Sequence, residues 1–272
     1  MALADLAFMG VLAMLVVLMI VEFVKPARQF EQVKWWRVKG FFFVLLMFAV
    51  GGVAPAVLVN FLPDVKLIPG HRLGLVGGTI FGIIAFELVS YWVHRLHHRV
   101  GFLWRWVHQL HHSAERMDVF GAGYFHPFEM LESAVLTTVI GGVVLGLSPE
   151  AAGLTGVWLA FNGIFQHANL KTPAWLGYVI QRPEQHGVHH ERGVHAFNYA
   201  NLPIWDLVFG TFRNPRTWEA PAGFYLGSSK KVLAMLLGRD ISNDQPARTR
   251  DAELGKEKSP EVSLGASFTS GR

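Results

Sequence analysis

The sequence predicts an all-α integral membrane protein, with four to five transmembrane or re-entrant helices and a cytoplasmic, histidine-rich helical cap. Three observations predict it. Half of the 272 residues are hydrophobic and only 16% are charged, whereas soluble domains carry about a quarter charged residues. Apolar runs near the ~20 residues needed to cross a bilayer recur along the chain. Twelve of thirteen histidines fall between positions 94 and 195.

The first run, Leu6 to Phe23, follows "MALAD", which has an acid and no basic residue, and no small-residue cleavage site comes after it. It therefore reads as a membrane helix rather than a secretory signal. Phe41–Leu62 is a second span, broken by Pro55, which membrane helices tolerate. Leu73–Val93 is a third, its Gly74, Gly77, Gly78 and Gly82 suited to close helix packing. Leu131–Leu147 and Ala151–Phe165, joined by "SPE", form either two short crossings or a re-entrant hairpin. The loop after the first run holds Lys25, Arg28, Lys34, Arg37 and Lys39, whereas 63–72 holds only Lys66 and Arg72. By the positive-inside rule residues 25–39 are cytoplasmic. Counting spans then puts all twelve clustered histidines on that face and His71 alone opposite.

Segments 101–110, 173–180 and 202–212 mix Trp or Tyr with apolar residues and read as interfacial. The expected organisation is 1–72, N-terminal helices and basic loop; 73–213, a catalytic domain; 214–238, a short interfacial segment; and 239–272, a polar, disordered tail. The net charge of +4 is scattered, with no basic block interleaved with aromatics, so nucleic acid is not an expected partner. The absence of cysteine excludes disulfides, thiolate-bound zinc and iron–sulfur clusters.

Residues three or four apart share a helix face. His94 and His98 in "HRLHH" therefore project together, as do His108, His111 and His112 in "HQLHH" and His186, His189 and His190 in "HGVHH". With His167 in "FQHAN" they make nine candidate metal ligands. A tetrahedral zinc takes four, so nine suit two metals of about five nitrogens each. Each HxxHH triplet can give two rings to one ion and the third to its neighbour. His71 reads as an ordinary hydrogen-bonded or interfacial residue. His97, adjacent to His98, points elsewhere and reads as a supporting or interfacial residue, and His126 in "FHPFE" is open between structural and metal roles. Glu87, two turns before His94, is expected to accept a hydrogen bond from a ligand imidazole, or else to pair with Arg95 or Arg99. Asp118, Glu184, Asn198 and Asp206 are further supporting candidates.

The ordered set "HRLHH", "HQLHH", "FQHAN" and "HGVHH" lies in the contexts "YWVHR", "FHPFE", "PEQHGVHHE" and "NYANLPIWDLVFGTF". Over residues 80–212 it resembles the fatty acid hydroxylase/sterol desaturase superfamily of membrane non-haem di-iron enzymes. The resemblance implies two iron ions, O2 as co-substrate, and hydroxylation or desaturation of a lipid. Some members pair the third-region histidine with another four residues earlier. Here that position is Gly163, leaving Asn162, Gln166, His126 or His195 to complete the ligand set. No flavin, haem or cytochrome-like segment is visible. Electrons are therefore expected from a separate ferredoxin- or cytochrome b5-type donor with its reductase, docking near Arg105, Arg116 or Arg182. Phe81, Phe86, Phe161 and Phe165 line a possible lipid slot or simply pack between helices. The rival reading is a histidine-rich membrane protein that binds or transports metal without oxygenase activity. A zinc hydrolase is disfavoured because no HExxH occurs.

Overall fold

The computed structural model describes residues 3–244. Among them there is no strand, only an isolated antiparallel bridge between Glu191 and Ala222. Three long helices come first: α1 (Leu3–Val24), α2 (Trp36–Leu58, extended by the 3-10 turn Val59–Phe61) and α3 (Gly74–Arg99). An irregular stretch, 101–112, passes through a π-helical turn, Trp104–His108, into α4 (Gln109–His112). Two more apolar helices follow: α5 (Pro127–Val139, running on as a π turn Ile140–Val144) and α6 (Pro149–Phe165). Short helices α7 (Pro183–His189), α8 (Pro203–Val208) and α9 (Val232–Leu236) complete the chain.

Four helical stretches are long and apolar enough to cross a bilayer: Asp5–Val24, Trp36–Phe61, Gly70–Arg99 and Pro127–Val144. Their outward faces are apolar; Val17, Ile20, Val53, Val76 and Ile80 are all more than half exposed. Such a surface is stable only against lipid. α6 begins sharply because Ser148 accepts the Ala151 N–H and Pro149 fills the first turn. Its 17 residues rise only about 25 Å. α6 packs against α1 and α3, and α2 packs against α5.

α3 is longer than the predicted span. Its 26 residues reach about 39 Å, so the helix clears a ~30 Å hydrocarbon core and carries His94 and His98 on its own last turns, beyond the predicted end of the span at Val93.

One core joins α2 to the histidine side through Trp36, Phe43, Leu110, Tyr124, Phe224 and Met235. A second sets Val11, Leu15 and Leu18 of α1 against Val44, Val119 and Ile164. Ile241 is fully buried, and Gln109 is hydrogen-bonded to the Arg239 carbonyl and the Ile241 N–H. The fold thus runs past residue 239, where the sequence suggested a polar tail, because one isoleucine completes the core. The rest of that expected tail, 245–272, lies outside the described residues.

The 119–124 turn lies directly on α2. A Cβ on Gly123 would stand 2.6 Å from Val44 Cα and 2.8 Å from Val44 N, a clash with backbone that no rotamer relieves. Gly123→Ala is expected to destabilise the protein by about 1–3 kcal/mol, read as a lower thermal midpoint in detergent.

Candidate metal centre

The end of α3, the π turn with α4, the end of α6, and α7 converge. His94, His98, His108, His112 and His189 each bring one ring nitrogen to within 4.8 Å of the others, and His111, His167, His186 and His190 do the same. The triplets interlock. "HQLHH" gives its i, i+4 pair, His108 and His112, to the five-imidazole cluster and lends His111 to the four-imidazole one. "HGVHH" gives His186 and His190 to the four and lends His189 to the five. The clusters abut, since the His112 and His190 rings stack at 4.2 Å.

The local sequence permits this. The π turn is closed by Gln109 N–H to Trp104 O, and such widened turns recur at functional sites. It delivers His108 so that its Nε2 lies 2.9 Å from His112 Nε2 one turn on. In α7, Gly187 lets the Trp218 ring lie on the helix, where a Cβ would meet Cδ2 at 2.4 Å.

Hydrogen bonds to acceptors fix the tautomers. His94 Nδ1 donates to Tyr199 O, His189 Nδ1 to Phe197 O and His167 Nδ1 to Gly163 O, each at 2.7 Å. His108 Nδ1 donates to Glu129 Oε1, also at 2.7 Å. A neutral imidazole has one N–H, so the Nε2 atoms of these four rings present bare lone pairs. His94 Nε2 and His108 Nε2 nevertheless face each other at 3.0 Å. A cation between the two nitrogens fits that distance. In the other cluster His167 Nε2 stands 3.1 Å from His186 Nε2 and 3.2 Å from His111 Nε2, and His190 Nε2 stands 3.1 Å from His186 Nε2. Two nitrogens bonded to one ion at about 2.1 Å, as imidazole is in zinc sites, lie about 3.0 Å apart at a right angle. His98 Nε2 and His189 Nε2 are buried without a hydrogen-bond partner among the described residues.

Burial, then neighbouring imidazoles, pushes His108, His111, His112 and His186 well below the ordinary imidazole range. Burial likewise lowers His167 and His195 to about 4. At neutral pH these rings are uncharged, the form that ligates metals.

The remaining candidates fall elsewhere. His195 Nδ1 lies 3.0 Å from His112 Nδ1, so it abuts the five-imidazole cluster and does not complete the other. His126 caps α5, its Nδ1 accepting the Phe128 N–H, and it joins neither cluster. Asn162 and Gln166 are buried at the end of α6 with carbonyl oxygens that lack a partner among the described residues. Gly163, where a paired histidine was sought, instead supplies the carbonyl that orients His167. His97 Nε2 lies 2.8 Å from Glu132 Oε2, and His97, His108 and Glu129 form a third, smaller group of potential ligand atoms. His71, at the opposite end of α3, lies 3.3 Å from Gly146 O.

The expected role of Glu87 is corrected. It touches no imidazole; its carboxylate accepts from Asn201 N, Asn201 Nδ2 and Leu202 N. Asp206 accepts from the Tyr199 and Ala200 N–H groups, and Asn198 Nδ2 donates to Gln185 O and Arg213 O. These side chains clamp the loop whose Phe197 and Tyr199 carbonyls aim His189 and His94. Asp118 binds Trp36 and Arg116, and Glu184 binds Thr172. Glu129, not among the expected supporting residues, is the carboxylate that meets a cluster imidazole. The signal was an acid beside the histidine and two phenylalanines of "FHPFE". Of the three arginines suggested for donor docking, Arg182 is fully buried and Arg116 is tied to Asp118 and the Phe30 and Glu31 carbonyls. Arg105 is exposed. Phe81 and Phe86 pack between helices, and Phe161 stacks on Phe165.

Fold and site together define a membrane protein whose helices gather nine imidazoles into two adjoining clusters that could hold metal. Residues 79–211 match the fatty acid hydroxylase family. This region, which holds all nine clustered histidines, is similar to the fatty acid hydroxylase family. The chain is 33% identical over 165 residues to ornithine lipid hydroxylase OlsE of Rhizobium tropici, covering 59% of this chain and 48% of that protein. It is 29% identical over 143 residues to very-long-chain aldehyde decarbonylase GL1-9 of Oryza sativa subsp. indica (48% and 53%). It is 24% identical over 137 residues to sphinganine C4-monooxygenase 1 of Arabidopsis thaliana (49% and 53%). The chain thus spans about half the length of the curated relatives it matches. No solved structure matches it.

Proposed function

We propose that this protein is a membrane-bound di-iron oxygenase that hydroxylates an unactivated C–H of a lipid. The observation that carries the reading is the pair of bare Nε2 atoms of His94 and His108 held 3.0 Å apart inside a five-nitrogen cluster. Five nitrogens exceed what a tetrahedral zinc takes, and similarity to the fatty acid hydroxylase family favours iron. His94, His98, His108, His112 and His189 would hold one ion, and His111, His167, His186 and His190 the other. When bound, the iron pair supplies two-electron activation of O2.

The balance for hydroxylation is R–H + O2 + 2e− + 2H+ → R–OH + H2O. Desaturation would remove two hydrogens and yield two waters from the same inputs. The electrons come from a separate donor of the ferredoxin or cytochrome b5 class, with the exposed Arg105 available on the histidine side. The basic 25–39 loop favours placing this side in the cytoplasm. The protein's own part is orientation and shielding. The Glu129 carboxylate and the Gly163, Phe197 and Tyr199 carbonyls lock four rings with Nε2 inward, and burial of the clusters keeps bulk water from the reacting centre. A lipid substrate is favoured by two relatives, named as hydroxylating an ornithine lipid and sphinganine.

The reading is tested on anaerobically purified protein. About two irons per chain, O2 uptake dependent on reductant, and a lipid gaining one oxygen in a strain expressing it are expected. One zinc per chain and no uptake would refute it.

A further inference from the structure

A cavity of about 340 Å³ opens beside the four-imidazole cluster, walled by Ala168 and Asn169 directly after His167 and by Pro183 and Glu184 at the start of α7. Its opposite wall is the loop that leaves α1, Ala27 to Phe30, closed by Thr217 to Glu219. α1 ends at Val24, so this loop lies at the level where a bilayer places its headgroups.

We propose that this cavity binds the zwitterionic headgroup of the lipid substrate, a reading that rests on the lipid oxygenase function above. Arg28 is its fixed cation. The guanidinium lies 4.7 Å from the ring centroids of both Phe30 and Trp218, and Nη1 donates to Ala220 O at 2.9 Å. Its backbone is pinned from both sides by Asn169, which accepts the Arg28 N–H and donates to the Arg28 carbonyl. A guanidinium carries five N–H donors, and planar, pre-placed donors suit a carboxylate or phosphate. Lys171 and Glu219, both exposed, bring one further cation and one anion to the same cavity. Glu184 is already occupied by the Thr172 N–H and hydroxyl, so the ammonium falls to Glu219, whose charge also acts on Arg28. The volume accommodates a headgroup and not two acyl chains.

The test is native mass spectrometry of the full chain in detergent, with dioleoyl phosphatidylethanolamine, phosphatidic acid, diacylglycerol and soluble glycerophosphoethanolamine as probes. Iron is counted on the same samples. Phosphatidylethanolamine is expected to bind most tightly, then phosphatidic acid, then diacylglycerol, with no binding of the soluble headgroup at matched concentration. Arg28→Gln should weaken phosphatidylethanolamine binding about tenfold or more, the scale of hydrogen bonds to a charged group, with iron content unchanged. Glu219→Gln, on the exposed rim, should abolish the preference for phosphatidylethanolamine over phosphatidic acid. Lipid retention that ignores the headgroup, equal binding of the soluble headgroup, or unaltered preference in both variants would overturn the proposal. Selective binding by protein that holds no iron would leave this subsite standing and sink the oxygenase reading instead.

Discussion

His189→Ala and His111→Ala are each expected to lose about one metal ion per chain and more than about 100-fold in activity, while both variants still insert in the membrane. Each triplet lends a single ring across to the other cluster, and these are the two lent rings. Replacing a ring that only supports a ligand typically costs 10–100-fold, so deleting a ligand costs more. The rings are also the buried links between α4 and α7, so metal bound there cross-links the two helices. Chelation is therefore expected to lower the thermal midpoint of the wild type and to change that of either variant less. His71→Ala, at the far end of α3, should keep the full metal complement. Metal analysis with a thermal scan reads all three; undiminished metal in both box variants would remove the ligand assignment.

The second large effect is expected at Glu129. Its Oε1 receives the His108 Nδ1–H at 2.7 Å, and the residue is only 7% exposed. Glu129→Ala leaves a buried N–H without a partner, at about 1–3 kcal/mol, and frees the ring to turn its Nε2 away from His94. Metal affinity and turnover are expected to fall 10–100-fold. Glu129→Gln keeps an acceptor but not the charge, so it should restore ring orientation and recover part of the affinity, with His108 a weaker base. Cobalt(II) titration of the apo-protein should rank wild type above Gln above Ala; equal affinity in the alanine variant would contradict the role.

Much of this was legible because membrane helices and metal boxes both write themselves in spacing. The apolar runs mark α1, α2 and α3, and HxxHH on a helical turn shows that each triplet can divide its rings between two ions, though not that His111 and His189 are the ones lent. What spacing could not carry is contact made by backbone. The carbonyls of Phe197 and Tyr199 have no side-chain signature. They are aimed by left-handed residues at His195, Phe197 and Asn198, with φ of 41°, 68° and 47°, conformations that non-glycine residues adopt only when the surroundings hold them. Those surroundings come from Asp206, Asn198 and Glu87. Glu87 lies two turns from His94, and helical spacing alone suggested an imidazole partner. The loop leading into α8, through Asn201 and Leu202, occupies it instead. Arg182 misled for a related reason: a lone arginine reads as surface, yet here it bonds the Thr172 and Pro215 carbonyls from a fully buried position.

The most direct measurement is anomalous X-ray scattering at the iron edge on crystals of protein purified without added metal. Two peaks are expected, one among His94, His98, His108, His112 and His189 and one among His111, His167, His186 and His190. A single peak, or a signal at the zinc edge alone, would contradict the account.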